Sequence, residues 1–330
     1  MKKLIKKQRA FWKLLALLIL LNINANNLFA SGSATSGAIL LRIPFDARNV
    51  ALGGAGASYV GNINSLENNP AVAAFSDKAV ISLSHIDVLS EAKMNSFIYS
   101  EPLSENIVIS LYSKILKSDN IPKTQMIEID CNRYLNQGTF NIQDYLVSLS
   151  FAHHTKKPLA ILETNIMASY GLTLKYFKSQ IAEYSANTFT GDVGIYFMKP
   201  YSSFSFGVAL QNFGGKIKYI SGSDKMPTTF RAGLTYNNIE YSKLIFTGDI
   251  IWLRAENLKA GIGIDYKISR SLTLRTGYDS RDDIGLGYTI GFGLNTNIFR
   301  KQDALLSIDY AYKPLEELGD YHYLTLTINY

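Results

Sequence analysis

Apolar and small or polar residues alternate one by one over much of this chain. In residues 283–295, DIGLGYTIGFGLN, one parity holds Ile284, Leu286, Tyr288, Ile290, Phe292 and Leu294. The other holds Gly285, Gly287, Thr289, Gly291, Gly293 and Asn295. Successive side chains on a strand point to opposite faces, so the segment has one apolar face and one nearly bare face. SFSFGVALQ (203–211), NLKAGIGIDY (257–266), SLTLRTGYD (271–279) and LLSIDYAY (305–312) repeat the arrangement. About fourteen such strands are predicted. They lie near 78–87, 93–101, 105–115, 142–154, 165–178, 186–198, 202–212, 226–237, 242–253, 257–267, 271–279, 285–297, 304–313 and 320–330. Met94 and Ile98 break the alternation of the first pair, and 122–128 could add a short strand.

The charged residues share a phase. Lys175, Asp192, Arg231, Asp249, Lys259, Asp265, Arg275 and Asp309 all fall on the small-polar parity. A basic side chain facing lipid at mid-depth costs about 2–4 kcal/mol. In hydrocarbon, backbone polar groups must be satisfied internally, which leaves helices and closed barrels as spanning structures. The pattern therefore predicts an all-β, transmembrane antiparallel barrel over 78–330, with the charges facing the lumen. Outward aromatics at strand ends (Tyr176, Tyr236, Trp252, Tyr266, Tyr278, Tyr312) fit an interfacial girdle. The competing fold is a soluble secreted β-sandwich or propeller, which would need charged outer faces. Connections support the barrel in part, with a long external stretch at 117–141, although the 155–164 turn and the 254–256 link run against the expected lengths.

Both ends of the chain agree with export to an outer membrane. Residues 1–30 place a basic stretch before an apolar core, Leu14–Leu21, and end on Leu28 and Ala30, the pattern of a cleaved signal peptide. A membrane-anchoring helix would need about 20 apolar residues. The last strand alternates Leu324, Leu326, Ile328 and Tyr330 against polar residues and stops on an aromatic, as expected of a C-terminal signal for the barrel-assembly machinery. Residues 31–77 lack alternation, are rich in Gly, Ala and Asn, and turn at Gly53, Gly54 and Gly56. They are expected to form a plug or a periplasmic arm. That turn has no Walker lysine, so it predicts no nucleotide site. Glycines on the inward parity leave lumenal space for a plug; Gly191, Gly194, Gly207, Gly233 and Gly248 are candidate bends.

Composition narrows the chemistry. Six of the 33 basic residues sit in the leader, leaving 27 against 27 acidic ones, so the charge gives no reason to expect nucleic acid. The one cysteine, Cys131, excludes an internal disulfide. His85, His153, His154 and His322 lack metal-ligand spacing, and the adjacent pair reads as a solvated turn. There is no Gly-x-Ser-x-Gly elbow, so no catalytic residue, metal or cofactor is assigned, and a non-enzymatic protein is expected.

Several pieces resemble the PorV/PorQ family of outer-membrane proteins. The opening DARNVALGGAGASYVGNINSLENNPAVAAF is similar to that family's Gly-rich segment followed by Asn-Pro-Ala, here Gly53, Gly54, Gly56, Asn69, Pro70 and Ala71. Asp46 stands where the family has glycine, and Ala51–Leu52 precede the glycines in place of Gly-Met. GTFNIQDYLVSLSFA, MPTTFRAGLTY and the terminal DYAYKPLEELGDYHYLTLTINY continue the likeness. The resemblance implies a fatty-acid-transporter-like barrel of fourteen strands with an N-terminal hatch. Two roles follow from it as analogy. One is a type IX secretion component that binds cargo signals or a sortase-like partner. The other is a channel for hydrophobic small molecules. Secretion predicts protein contacts on 117–141 and on Ile43–Ala74; transport predicts an apolar pocket continuous with a gap in the wall.

Overall fold

The structure, a computed structural model, describes residues 38–330 apart from 89–91, 129–132, 156–158, 162–163, 220–221, 238–242, 255–256, 282–285, 298–303 and 316–318. The leader, Cys131 and the start of the predicted 285–297 strand lie outside the described residues. The strands are β1 (Val80–Val88), β2 (Ala92–Ser104), β3 (Ile107–Glu128), β4 (Arg133–His154), β5 (Leu159–Ile161), β6 (Thr164–Ile181) and β7 (Tyr184–Met198). They continue as β8 (Phe204–Gly214), β9 (Lys216–Lys218), β10 (Ser223–Lys225), β11 (Thr229–Asn237), β12 (Leu244–Leu253), β13 (Leu258–Lys267) and β14 (Leu272–Asp279). The last are β15 (Tyr288–Asn297), β16 (Leu305–Pro314) and β17 (Asp320–Asn329). All but β5, β9 and β10 pair antiparallel around a closed ring, sealed by β4 against β6 and by β1 against β17. The result is a fourteen-stranded outer-membrane barrel.

The wall faces divide as the alternation requires. On β13, Leu258, Ile262, Ile264 and Tyr266 are exposed outward while Gly261, Gly263 and Asp265 are buried inward. The long β3–β4 hairpin and the β8–β11 connection lie at the opposite end from the start of β1 and the end of β17, and barrels of this kind carry their longer connections outside, which makes the latter end the periplasmic one. Counting from there, β1 runs outward and each wall strand reverses its predecessor.

Two expectations are corrected. The stretch 117–141 is not a loop, and 122–128 is not a separate strand. Both belong to a β3–β4 hairpin that outruns the wall, because β2 stops pairing at Ser118 and β6 at Ile142. Met94 and Ile98 break the alternation because their inward positions meet an apolar plug rather than water; both are buried in one cluster with Leu40, Leu41, Ile43 and Phe45.

That plug fills the lumen. It comprises a short helix, α1 (Ala47–Ala51), and 3-10 turns at Ile39–Leu41, Ile63–Glu67 and Pro70–Phe75. Asp46 caps α1 through the Asn49 N–H, and Asn69 caps the last turn through the Ala71 N–H with Pro70 at its first position. The Ala47 N–H donates to Thr325 Oγ1 at 3.0 Å, and that hydroxyl also meets Ser84 Oγ across the β1–β17 join.

Candidate functional site

The plug touches the wall backbone to backbone, and this is what the inward glycines serve. A Cβ at Gly171 would overlap Pro70, one at Gly194 would overlap the Asn69 amide, and one at Gly207 would overlap the Ala57 carbonyl. Gly261, Gly263 and Gly277 receive Leu52 and Gly53 in the same way. Gly53 adopts φ 65° and Gly54 φ 71°, the left-handed region that favours glycine. Of the candidate bends, Gly194, Gly207 and Gly233 therefore form contacts with the plug or with a neighbouring carboxylate. Gly191 packs under Phe213, and Gly248 faces outward.

Lumenal charges hold the plug. Asp249 accepts the N–H groups of Gly56 and Ala57 at 2.9 and 3.0 Å and pairs with Arg231 at 2.9 Å. Arg231 Nη1 also donates to the Gly54 carbonyl at 2.8 Å, so the glycine turn is clipped to the wall from both polarities. Arg275 bridges Asp265 and Asp309, which reach the plug through Tyr59 and Arg48. Lys175 pairs with Asp192 at 2.7 Å beside Asn212, where the β7–β8 register shifts. Lys259 is half-buried at the same inward register. In the Asn-Pro-Ala turn, Asn69 Nδ2 donates to the carbonyls of Ala57 and Ile195, joining the plug to itself and to β7. In the terminal strand, Leu324, Leu326 and Tyr330 are exposed outward and Ile328 is half-buried.

Other polar anchors are not distinguished as such by the sequence. Lys114 is fully buried and donates to the Ile43 carbonyl and to Glu67. Its inward parity on β3 was readable, but Glu67 lies in an aperiodic segment and its partner was not. Asp279, buried at the outer end of β14, takes Arg281 at 2.7 Å and Lys313 at 3.0 Å. The histidines at the end of β4 are not a solvated turn. His154 stacks on Phe75 of the plug with centroids 5.3 Å apart, and His153 meets Asn106.

The plug separates two cavities of unlike chemistry. The outer one, about 330 Å³, is lined by Leu41, Ile43, Ile251, Leu253, Leu315 and Tyr323 together with Arg42, Glu67, Arg231, Asp279, Arg281 and Lys313. The inward residues at the outer ends of β1–β4 and β6 include Val88, Met94, Leu116, Leu146 and Phe177, clustered with Ile217 and Met226 from the β8–β11 connection, whereas Thr188, Asn212, Thr229, Asp279 and Lys313 face inward at the outer ends of β7, β8, β11, β14 and β16. The inner cavity, about 270 Å³, is lined chiefly by amides, hydroxyls and charges.

Comparison with solved structures places this architecture. The chain superposes on a mutant TodX monoaromatic hydrocarbon channel with a TM-score of 0.56 at 14% identity, covering 87% of this chain and 98% of that one. The Pseudomonas putida toluene transporter TodX gives 0.54 at 13% identity, covering 86% and 96%. The Ralstonia pickettii toluene transporter TbuX gives 0.51 at 12% identity, covering 87% and 97%. No family model and no curated protein matches the sequence. The chain is an outer-membrane β-barrel whose plugged, fourteen-stranded fold is similar to that of these proteins.

Proposed function

We propose that this protein is a non-catalytic channel that takes hydrophobic small molecules from the outer face of the membrane. The observation that carries the reading is an apolar arc in the outer lumen. Inward positions of a water-filled barrel are polar, whereas here Val88, Met94, Leu116, Leu146 and Phe177 make the outer lumen apolar along β1–β6, and a cavity of drug-sized-ligand dimensions against the plug has Leu41, Ile43, Ile251, Leu253 and Leu315 among its walls. The relatives in fold named as monoaromatic and toluene transporters support the same direction. The wall pairs continuously around the ring, so the gap expected of a transporter is not among the described pairings.

The test is accumulation of radiolabelled toluene and of a long-chain fatty acid by cells with and without the protein. Uptake of at least one should depend on the protein. Leu253→Asp, which places a charge in the apolar wall, should lower it about tenfold, the effect of about 1.4 kcal/mol. Equal uptake with and without the protein would remove the reading.

A second reading, secretion or surface attachment through cargo or a sortase-like partner, is supported by the PorV/PorQ-like sequence pieces and by the projecting β3–β4 hairpin. The enclosed plug counts against it, because most of Ile43–Ala74 is buried and offers little surface to a protein. Recovery of signal-bearing or sortase-like proteins with the tagged barrel would favour it.

A further inference from the structure

The periplasmic mouth of the lumen carries an excess of positive charge. Over the end of β13 and the periplasmic connections between β11 and β16, five basic residues (Lys243, Lys267, Arg270, Arg300, Lys301) stand against two acidic ones, Glu240 and Asp303. Residues 240, 300, 301 and 303 lie outside the described residues. Lys243, Lys267 and Arg270 are exposed, and none of the three forms an ion pair among the described residues. Lys243 and Lys267 are direct neighbours across β12 and β13, where the Lys267 N–H donates to the Lys243 carbonyl at 2.7 Å. Both share the inward parity, two residues from buried Ile245 and Asp265. Like charges directly opposite one another destabilise a sheet, and an anion held between them removes that repulsion.

This lysine pair stands over the inner cavity, whose lining includes Arg48, Lys267 and Arg275 against Asp265 alone. Asp265 is taken by Arg275 at 2.8 Å and by the Tyr59 hydroxyl at 3.2 Å. Behind them Asp309 pairs with both Arg48 and Arg275, so the uncompensated charge is that of the mouth. Thr273 lies beside Lys267 in register, and the amides of Asn237, Asn295 and Asn329 stand nearby in the same lining. With its Oδ1 taken by Ser307, Asn295 has only N–H groups left to offer. We propose that this mouth binds a small oxyanion of the phosphate class from the periplasm. Such a ligand brings several acceptor oxygens, which take the ammonium groups in charge-assisted bonds and the hydroxyl and amide donors in neutral ones. Chloride lacks that spread of acceptors, and a neutral solute leaves the opposed lysines unrelieved. The cavity, about 270 Å³, holds one such anion with several waters of about 30 Å³ each.

The inference is independent of the proposed uptake of hydrophobic solutes, and its experiment uses another ligand and other variants. Full-length protein in a neutral detergent is dialysed to equilibrium against radiolabelled inorganic phosphate, with ionic strength held constant by sodium chloride. Saturable binding is expected. Lys267→Gln and Lys243→Gln should each weaken it about tenfold, the loss of one charge-assisted contact. Lys267→Arg, which keeps the charge, should retain most of the affinity. Lys199→Gln removes an exposed charge from the β7–β8 turn and should leave binding unchanged. All these side chains are exposed, so the variants should keep the folded band that heat modifies on a gel. Absence of saturable binding, or an equal loss in Lys199→Gln and Lys267→Gln, would overturn the proposal.

Discussion

At the scale of single residues, the absence of a side chain matters as much as its presence. A Cβ at Gly277 would overlap the Gly53 nitrogen and lie 2.5 Å from the Leu52 carbonyl carbon, both backbone atoms that cannot swing aside. Gly277→Ala should therefore destabilise the plugged barrel by about 1–3 kcal/mol. Gly248→Ala, outward and 3.5 Å from its nearest neighbour, should be close to neutral. Thermal melting of the two purified variants in detergent checks the contrast. Asp46, in the plug rather than the wall, makes a second prediction. Burial pushes its carboxyl up to about 6 from 3.8, against the opposing hydrogen bonds from Asn62 and Asn49 and the charge of Arg48. A raised folded value means that the protonated form is favoured in the native state. Its contribution is fully present below the unfolded value of 3.8 and is lost as pH rises through about 6. Asp46→Asn should flatten that part of the melting-temperature profile.

At the scale of elements, the plug is attached by polar clips, while among the described residues the projecting part of the β3–β4 hairpin pairs only with itself. Removing the Asp249 carboxylate would strand the buried Arg231 guanidinium and two plug N–H groups. Breaking a buried ion pair from one side costs about 3–5 kcal/mol. Asp249→Ala should loosen the glycine turn and raise ion conductance in planar bilayers, whereas an unchanged conductance would show that other contacts suffice. Beyond Ser118 and Ile142 the β3–β4 hairpin has two open edges, interrupted by Pro122 and by register shifts near 118–121, 122–124 and 126–128. Such interruptions blunt an edge against pairing with other chains. Replacing 121–139 by a short turn should leave the heat-modifiable folded band and solute uptake intact.

These elements also mark how far the sequence could be read. Alternation located the wall strands because lipid on one side and lumen on the other impose a period of two. It missed the outer half of the hairpin, where neither face meets lipid and the pattern has no environment to report. It weakened at Met94 and Ile98, where the inward face is apolar because it meets the plug, while Lys93 and Asn95 stand on the outward parity beside Met94. The clip on Asp249 was half visible: its phase with Arg231 could be seen, but the backbone groups it holds belong to a segment with no periodicity.

At the scale of the whole molecule, the plug leaves a cavity of mixed lining toward the outside, beside an apolar arc of wall, and a mainly polar one toward the periplasm. The bond network at the β1–β17 join couples the plug to the closure of the ring. Thr325 ties the final strand to the first through Ser84 and, with the same hydroxyl, holds the lumenal helix at Ala47. The stopper and the closing seam thus share one hydroxyl, so a change at that single side chain reaches both.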